Sequence, residues 1–463
     1  DYYTIDPKFG TMGDFEALLD EAHRKGLHII LDMVLNHTSD QHTWFRRAKS
    51  SRNDPFHEWY LWGEPSKNGG RPNNWRSVTG GSGWEYAQEV ERYYFHMFYK
   101  QQPDLNWRNP EVQKEMFNIF RFWLDKGVDG YRLDVFNLLY KEEHLRSNPP
   151  KFGFNAFDWQ KHIYDLDQPE IKPLLSKLRS ICDEKEGRYL VGEPITPELP
   201  IKFIRISRAA VAAQYCQENL LHATFCFDLL NCAWKAEDFK AAIRNWEIAL
   251  TDRGWPTQVL GNHDNPRIAS RYVDDENDTR SRAAAVMLFT LRGTPYIYYG
   301  EEIGMRDIKL KRSQIKDAVG KRYWPFYKGR DGCRAPMQWS DEVHAGFTTG
   351  NRTWLPVNAD YGVRNIKRQS QDPGSLFNLY KELIHLRTLH PVLVDGNLTL
   401  LDGLPASVLG YRRSNDREHA LVLINFSANR IQFHFPEPDG QKWIQALTTE
   451  PTGENRQIEQ TIC

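Results

Sequence analysis

Four short apolar runs, each ending in polar or charged residues and each followed by a helical pattern, constrain this chain more than any other feature. They are HIILDMVLNH at 28–37, GVDGYRLDV at 127–135, RYLVGEP at 188–194 and TQVLGNHD at 257–264. Runs of this length bounded by turn residues read as buried strands, and strands that alternate with helices read as a parallel sheet. Core packing gives no reason for every strand to end in polar side chains. A (β/α)8 barrel does, because its strand C-termini converge on one rim where chemistry is done. Asp134, Glu193 and Asp264, far apart in sequence, are then expected to share one pocket.

Within GVDGYRLDV, residues two apart on a strand point the same way, so Arg132 and Asp134 project together. A fixed guanidinium beside a carboxylate is expected to lower its pKa and keep it ionised. An ionised carboxylate at a strand's end is what displacement at a sugar's anomeric carbon needs. An isolated R-x-D is equally compatible with a structural ion pair. Two further acids in matching positions shift the reading toward catalysis.

The 463 residues suit one large barrel with accessory parts. Lys and Arg total 60 against 61 for Asp and Glu, so no global field points to nucleic acid or an anionic membrane. No apolar run is long enough to span a bilayer. Aromatic residues make up 13%, with 15 Trp, which suits sugar-stacking surfaces. Six cysteines (Cys182, Cys216, Cys226, Cys232, Cys333 and Cys463) lack metal or redox spacing and read as reduced thiols in a reducing compartment, so a cytoplasmic location is expected, bacterial-like by the resemblance described below.

Along the chain, Phe15, Leu18, Leu19 and Ala22 form a helical stripe ahead of the strand at 28–36. Residues 42–96 are irregular and rich in Trp, Gly, Asn and Pro. A helix is predicted over 111–126, with Pro110 at its start and Val112, Met116, Ile119, Phe120 and Trp123 on one face. Strands follow near 128–135, 188–193, 222–228, 257–262 and 293–299, and a last helix at 374–390. After it, SVLGYRRS, HALVLINFS and RIQFHFP alternate like antiparallel strands.

DMVLNH, GVDGYRLDV, VGEP and GNHD resemble, in order and spacing, the four principal regions of the α-amylase superfamily of glycoside hydrolases. QPDLNW at 102–107, GTPYIYYGEEIGM at 293–305 and GRDGCRAPMQW at 329–339 resemble its oligo-1,6-glucosidase and α-glucosidase branch. The resemblance implies an α/β fold: a (β/α)8 barrel over 1–38 and 97–390, a B subdomain at 39–96 inserted after the third strand, and a C-terminal antiparallel β-sandwich over 391–463. DYYTIDPKFG follows the second strand in the family. The first barrel strands are therefore expected to be absent from this chain, a shortfall on the order of 50 residues at roughly 30 per β/α unit. The C-terminal tail, lacking an apolar last strand, also reads as short.

The implied activity is retaining, exo-acting hydrolysis of short α-glucosides of the maltose, isomaltose or sucrose type. Asp134 is expected as nucleophile, Glu193 as acid/base with its pKa raised by nearby carboxylates, and Asp264 as the third acid. Arg132, His37 and His263 are expected to bind substrate, and Val135, following the nucleophile, to face the +1 sugar and resemble α-1,6-acting members. Arg267 reads either as an aglycone contact or as a surface ion pair; Asp32 and Asn36 read as structural groups near the site. No metal or cofactor is expected, since no D-x-[DN]-x-[DN]-G loop occurs; calcium on the family's first loop would lie before Asp1. The expected partner is a small sugar, with the chain a monomer or homodimer and neither nucleic acid nor membrane involved. Sucrose isomerases or transglucosidases and trehalose-6-phosphate hydrolases share these motifs, and the heavy-chain subunits of amino-acid transporters are a non-catalytic alternative.

Overall fold

The computed structural model describes residues 1–153, 156–195, 208–250, 254–433 and 443–449. The chain divides into two compact units, Asp1–Phe225 with Leu250–Trp255, and Cys226–Ala249 with Pro256–Cys463.

The first unit runs α1 (Met12–Arg24), β1 (Ile30–Val34), α2 (Thr43–Ser50), β2 (Trp62–Gly63), β3 (Trp84–Ala87), β4 (Arg92–Phe95), α3 (Pro110–Asp125), β5 (Gly130–Asp134), α4 (Ile171–Cys182), β6 (Tyr189–Gly192), α5 (Ala209–Ala213) and β7 (Ala223–Thr224). Strands β1, β5, β6 and β7 form one parallel sheet in that order, as the β/α alternation requires. Alternation along β5 divides its labour. Tyr131 and Leu133 are fully buried, and Tyr131 packs its ring 4.4 Å from Phe120 of α3 and donates to the Phe120 carbonyl at 2.6 Å. Arg132 and Asp134 occupy the opposite face and stay partly open. Gly130 begins the strand at φ +152°, where a Cβ would lie 1.9 Å from the Tyr189 carbonyl oxygen; only glycine lets β6 approach this closely.

Helix α3 starts as predicted, because the Asn109 side chain accepts from the Glu111 N–H and Pro110 occupies the first turn. All five residues predicted for its inner face are buried, each worth roughly 1.5–3 kcal/mol for a large apolar side chain. Two expectations need correction. Leu18 is half exposed, for it lies at the margin of the α1 stripe while Leu19 and Ala22 point inward. Strand β1 is not fully buried, with Ile30 and Asp32 exposed, because it pairs only with β5 among the described residues and forms the sheet's edge. Within 39–96, strands β2, β4 and β3 make a small antiparallel sheet, and its Trp75, Trp84 and Phe95 join Val135 and Leu138 in an apolar cluster.

The second unit contains α6 (Ala236–Leu250), β8 (Thr257–Val259), α7 (Ile268–Arg271), α8 (Thr279–Thr290), β9 (Thr294–Tyr296), α9 (Ala318–Tyr323), α10 (Ile366–Gln369), α11 (Leu376–Leu389), β10 (Asn397–Leu400), β11 (Val408–Ser414) and β12 (His419–Asn425). Strands β8 and β9 pair in parallel, and β10, β11 and β12 form an antiparallel sheet. Strand β10 was not anticipated, and RIQFHFP lies outside the described residues from 434 onward. The first unit has four parallel strands and the second two, each with inserted helices and an antiparallel accessory sheet, so the chain is of the α/β class to which (β/α)8 barrel proteins belong. The described cysteines, Cys182, Cys216, Cys226, Cys232 and Cys333, are all buried. No helix among the described residues is long and apolar enough to cross a membrane.

Candidate active site

Register places the first set of polar groups. Asp32 of β1 sits opposite Arg132 of β5, which sits opposite Val191 of β6, and the Glu193 N–H donates to the Leu133 carbonyl at 2.9 Å. Arg132 therefore lies among three carboxylates. Its Nη1 donates to Asp32 at 2.6 and 2.8 Å and to Asp134 at 2.8 Å, while Nη2 contacts Glu193. Asp32 is the exposed member; Arg132, Asp134 and Glu193 are mostly covered.

The expectation that Arg132 holds the Asp134 carboxyl at low pKa is overturned. Burial pushes it up to about 6; Arg132 pulls it down, while the charges of Glu193 and Asp32 push it further up. One cation shared among three anions does not offset desolvation. Asp134 is still mainly ionised at neutral pH, with a margin of about one unit rather than three. Directly after it, Val135 turns the chain at φ 36° and ψ 41° into the 3-10 turn Phe136–Leu138. A β-branched residue in this left-handed region is strained, and the strain stands beside the candidate nucleophile.

The second set hangs on Asn36 and His37. Both are buried, and the Lys141 ammonium donates to Asn36 Oδ1 at 2.9 Å and to Asp104 Oδ2 at 2.5 Å. The Gln102 amide contacts His37 Nε2 at 2.9 Å, and burial lowers the His37 pKa, so its imidazole is neutral at neutral pH. Sequence reasoning assigned no role to Lys141, Asp104 or Gln102. The signal existed for two of them, since QPDLNW stood out as a signature.

In the second unit, His263 and Asp264 follow β8. Asp264 receives Arg330 at 3.1 Å and Arg334 at 2.7 Å, and Arg334 Nε also donates to the His263 carbonyl at 2.7 Å. The His263 ring is half exposed, with Nε2 at 3.5 Å from Asp264. Both arginines come from GRDGCRAPMQW, another quoted segment whose role was missed. Arg267 fits neither expectation, being 1% exposed. Its Nη1 donates to the Tyr299 carbonyl at 2.6 Å, and its guanidinium stacks on Tyr298 and Tyr299 at 4.8 and 4.7 Å. A planar, weakly hydrated guanidinium tolerates burial between aromatic faces, so the residue braces the rim from inside.

The structure thus gathers Asp32, Arg132, Asp134 and Glu193 into one cluster, Asn36 and His37 into a second in the same unit, and His263 and Asp264 into a third in the other unit. Among the described residues no group of three or more His, Cys, Asp or Glu side chains is placed to hold a metal ion.

The family model "Alpha amylase, catalytic domain" matches residues 1–396. The oligo-1,6-glucosidase of Parageobacillus thermoglucosidasius is 36% identical over 94% of this chain and 81% of its own length. Among solved structures, an α-glucosyl transfer enzyme superposes with a TM-score of 0.88 at 34% identity, covering 96% of this chain and 83% of its own. The trehalose-6-phosphate hydrolase of Bacillus licheniformis superposes at 0.88 and 30% identity, covering 100% and 86%.

Proposed function

The chain belongs to the α-amylase family of glycoside hydrolases, with that family's retaining glucosidase or transglucosidase action on α-glucosides, and from that premise we propose that it is an exo-acting α-glucosidase of short substrates. Asp134 attacks the anomeric carbon to form a covalent β-glucosyl intermediate. Glu193 protonates the departing oxygen, then deprotonates the incoming water. Asp264 and His263 bind sugar hydroxyls, as does His37, which as a neutral imidazole can both donate and accept. Val135 lies on the +1 side and biases the enzyme toward α-1,6 linkages.

One observation carries this reading: a single guanidinium touches both Asp134 and Glu193. Two carboxyls bridged in this way are held close, in keeping with the retaining class at about 5 Å rather than the wider spacing that leaves room for an inverting water. The test is labelling with a slow fluorinated α-glucoside. The peptide containing Asp134 should carry the label, and α-glucose should be the first product seen by NMR. Label on Glu193, or initial release of β-glucose, would reverse or remove the assigned roles.

A second reading has support in the segment after β9. Lys309, Lys311, Arg312, Lys316 and Lys321 are exposed, and none has an ion-pair partner among the described residues. Arg312 and Lys321 line one open cleft with Ser313. Such a surface suits a phosphorylated aglycone like that named for the trehalose-6-phosphate hydrolase. Comparing kcat/KM on trehalose 6-phosphate and trehalose decides it: a preference below about tenfold, worth 1.4 kcal/mol, would leave the neutral disaccharides as substrates.

A further inference from the structure

The loop Gly261–Pro266, which presents Asp264, is gripped from beneath by two side chains that the chemistry above does not use. Arg271 of α7 donates Nη2 to the Leu260 carbonyl at 2.5 Å and Nη1 to the Pro266 carbonyl at 2.7 Å, so one guanidinium ties both ends of the loop. Glu301 closes the floor. A Cβ on Gly261 would lie 1.9 Å from Glu301 Oε1, so the carboxyl occupies the notch that this glycine leaves. Glu301 is 5% exposed, and neither of its carboxyl oxygens is within hydrogen-bonding geometry of a partner among the described residues.

An unpartnered buried carboxyl is costly, and such a cost persists where the group serves a purpose. Arg267, Arg271 and Glu302 are the charged neighbours of Glu301, and the buried Tyr380 of α11 lies on the same side. Burial pushes the Glu301 carboxyl up to about 8 against the pull of both arginines, leaving it mainly uncharged at neutral pH. A neutral wedge in the notch and a guanidinium on both ends restrict the loop.

We propose that Glu301 and Arg271 are positioning residues for Asp264, the first filling the Gly261 notch and the second tying the loop's ends, so that the acid is presented at one fixed angle. The proposal rests on Asp264 serving turnover. Positioning matters at this scale, because a shift of about 1 Å in a catalytic group costs on the order of a hundredfold in rate.

The experiment is a double-mutant cycle in the full chain, read as kcat and KM on an aryl α-glucoside beside melting temperature. Glu301→Ala should lower kcat roughly ten- to a hundredfold with KM changed less than about threefold. Glu301→Gln, which refills the notch without a charge, should recover most of that kcat. In an Asp264→Asn background, Glu301→Ala should cost nothing further, since the group it positions is gone. Equal fold-losses in both backgrounds, or a lower melting temperature with kcat intact, would overturn the proposal. If Glu301→Ala does not fold, Arg271→Lys, which keeps the charge but loses the two-ended grip, is put through the same cycle with the same outcomes. Full turnover by Asp264→Asn alone would instead remove the role of Asp264, an outcome distinct from multiplicative losses.

Discussion

Asp134 and Asp264 are both carboxylates at the ends of parallel strands, yet the molecule holds them by opposite means. In the first unit one cation serves three anions, Arg132 touching Asp32, Asp134 and Glu193. In the second, two cations serve one anion, Arg330 and Arg334 both reaching Asp264. The first arrangement is set by strand register, since Arg132 and Asp134 are two residues apart on β5. The second is set by chain returning from 66 and 70 residues away. At Asp134 burial raises the proton affinity and the shared cation does not offset it; at Asp264 two guanidinium groups fix the acid in place.

The sharpest way to break this contrast is Asp134→Asn, expected to lower kcat by about 10⁴-fold or more, as loss of a covalent nucleophile does. The same change should raise the melting temperature at pH 7. The native pKa of about 6 lies above the usual value of 3.8, so ionisation disfavours the folded state above pH 6 and has no effect below pH 3.8. Calorimetry at pH 7 and near pH 3.5 checks the sign, and a gain of equal size at both values would show that burial does not displace this group.

Arg132→Met should come next in size. It leaves three carboxylates clustered without their cation, and a loss of about 3 kcal/mol in urea unfolding is expected, toward the lower end for a broken covered pair because Asp32 is exposed. Arg334→Met, with Arg330 still on Asp264, should cost about 1 kcal/mol or less. Equal losses would erase the distinction between the two regions. Smaller again is the acid limb of kcat/KM, expected to bend near pH 6 and fall about tenfold per unit below it; a bend below pH 5 would mean that Arg132 dominates Asp134 after all. Val135→Thr should do least, raising the maltose to isomaltose ratio of kcat/KM by about fivefold, or 1 kcal/mol. An unchanged ratio would move linkage choice to the loops.

What could be read beforehand follows the same division. Period-two alternation exposed Arg132 and Asp134, and Pro110 marked the start of α3, because both signals are local. Arg267 was misjudged because its neighbours in NHDNPR are polar, whereas the rings that cover it, Tyr298 and Tyr299, arrive from β9's far end. Lys141 with Asp104, and Arg330 and Arg334 with Asp264, are pairings between distant segments that no periodicity encodes. The edge position of β1 and the exposure of Leu18 depend on which strands and helices neighbour them, again a property of topology rather than of local pattern.

The buried Lys141 ammonium bears on how strictly the 39–96 segment must be placed. It is 2% exposed at the side chain and meets a fully covered Asp104, so neither charge can leave water until the other arrives. Asp104 also bridges to His37, which means that the whole stretch between them must first close as a loop. Closure of a long loop is an entropic toll that grows only slowly with its length, whereas stranding one buried ion costs several kcal/mol. A chain that collapses with the 39–96 segment misplaced therefore leaves one of these two ions without its partner, at a cost of several kcal/mol.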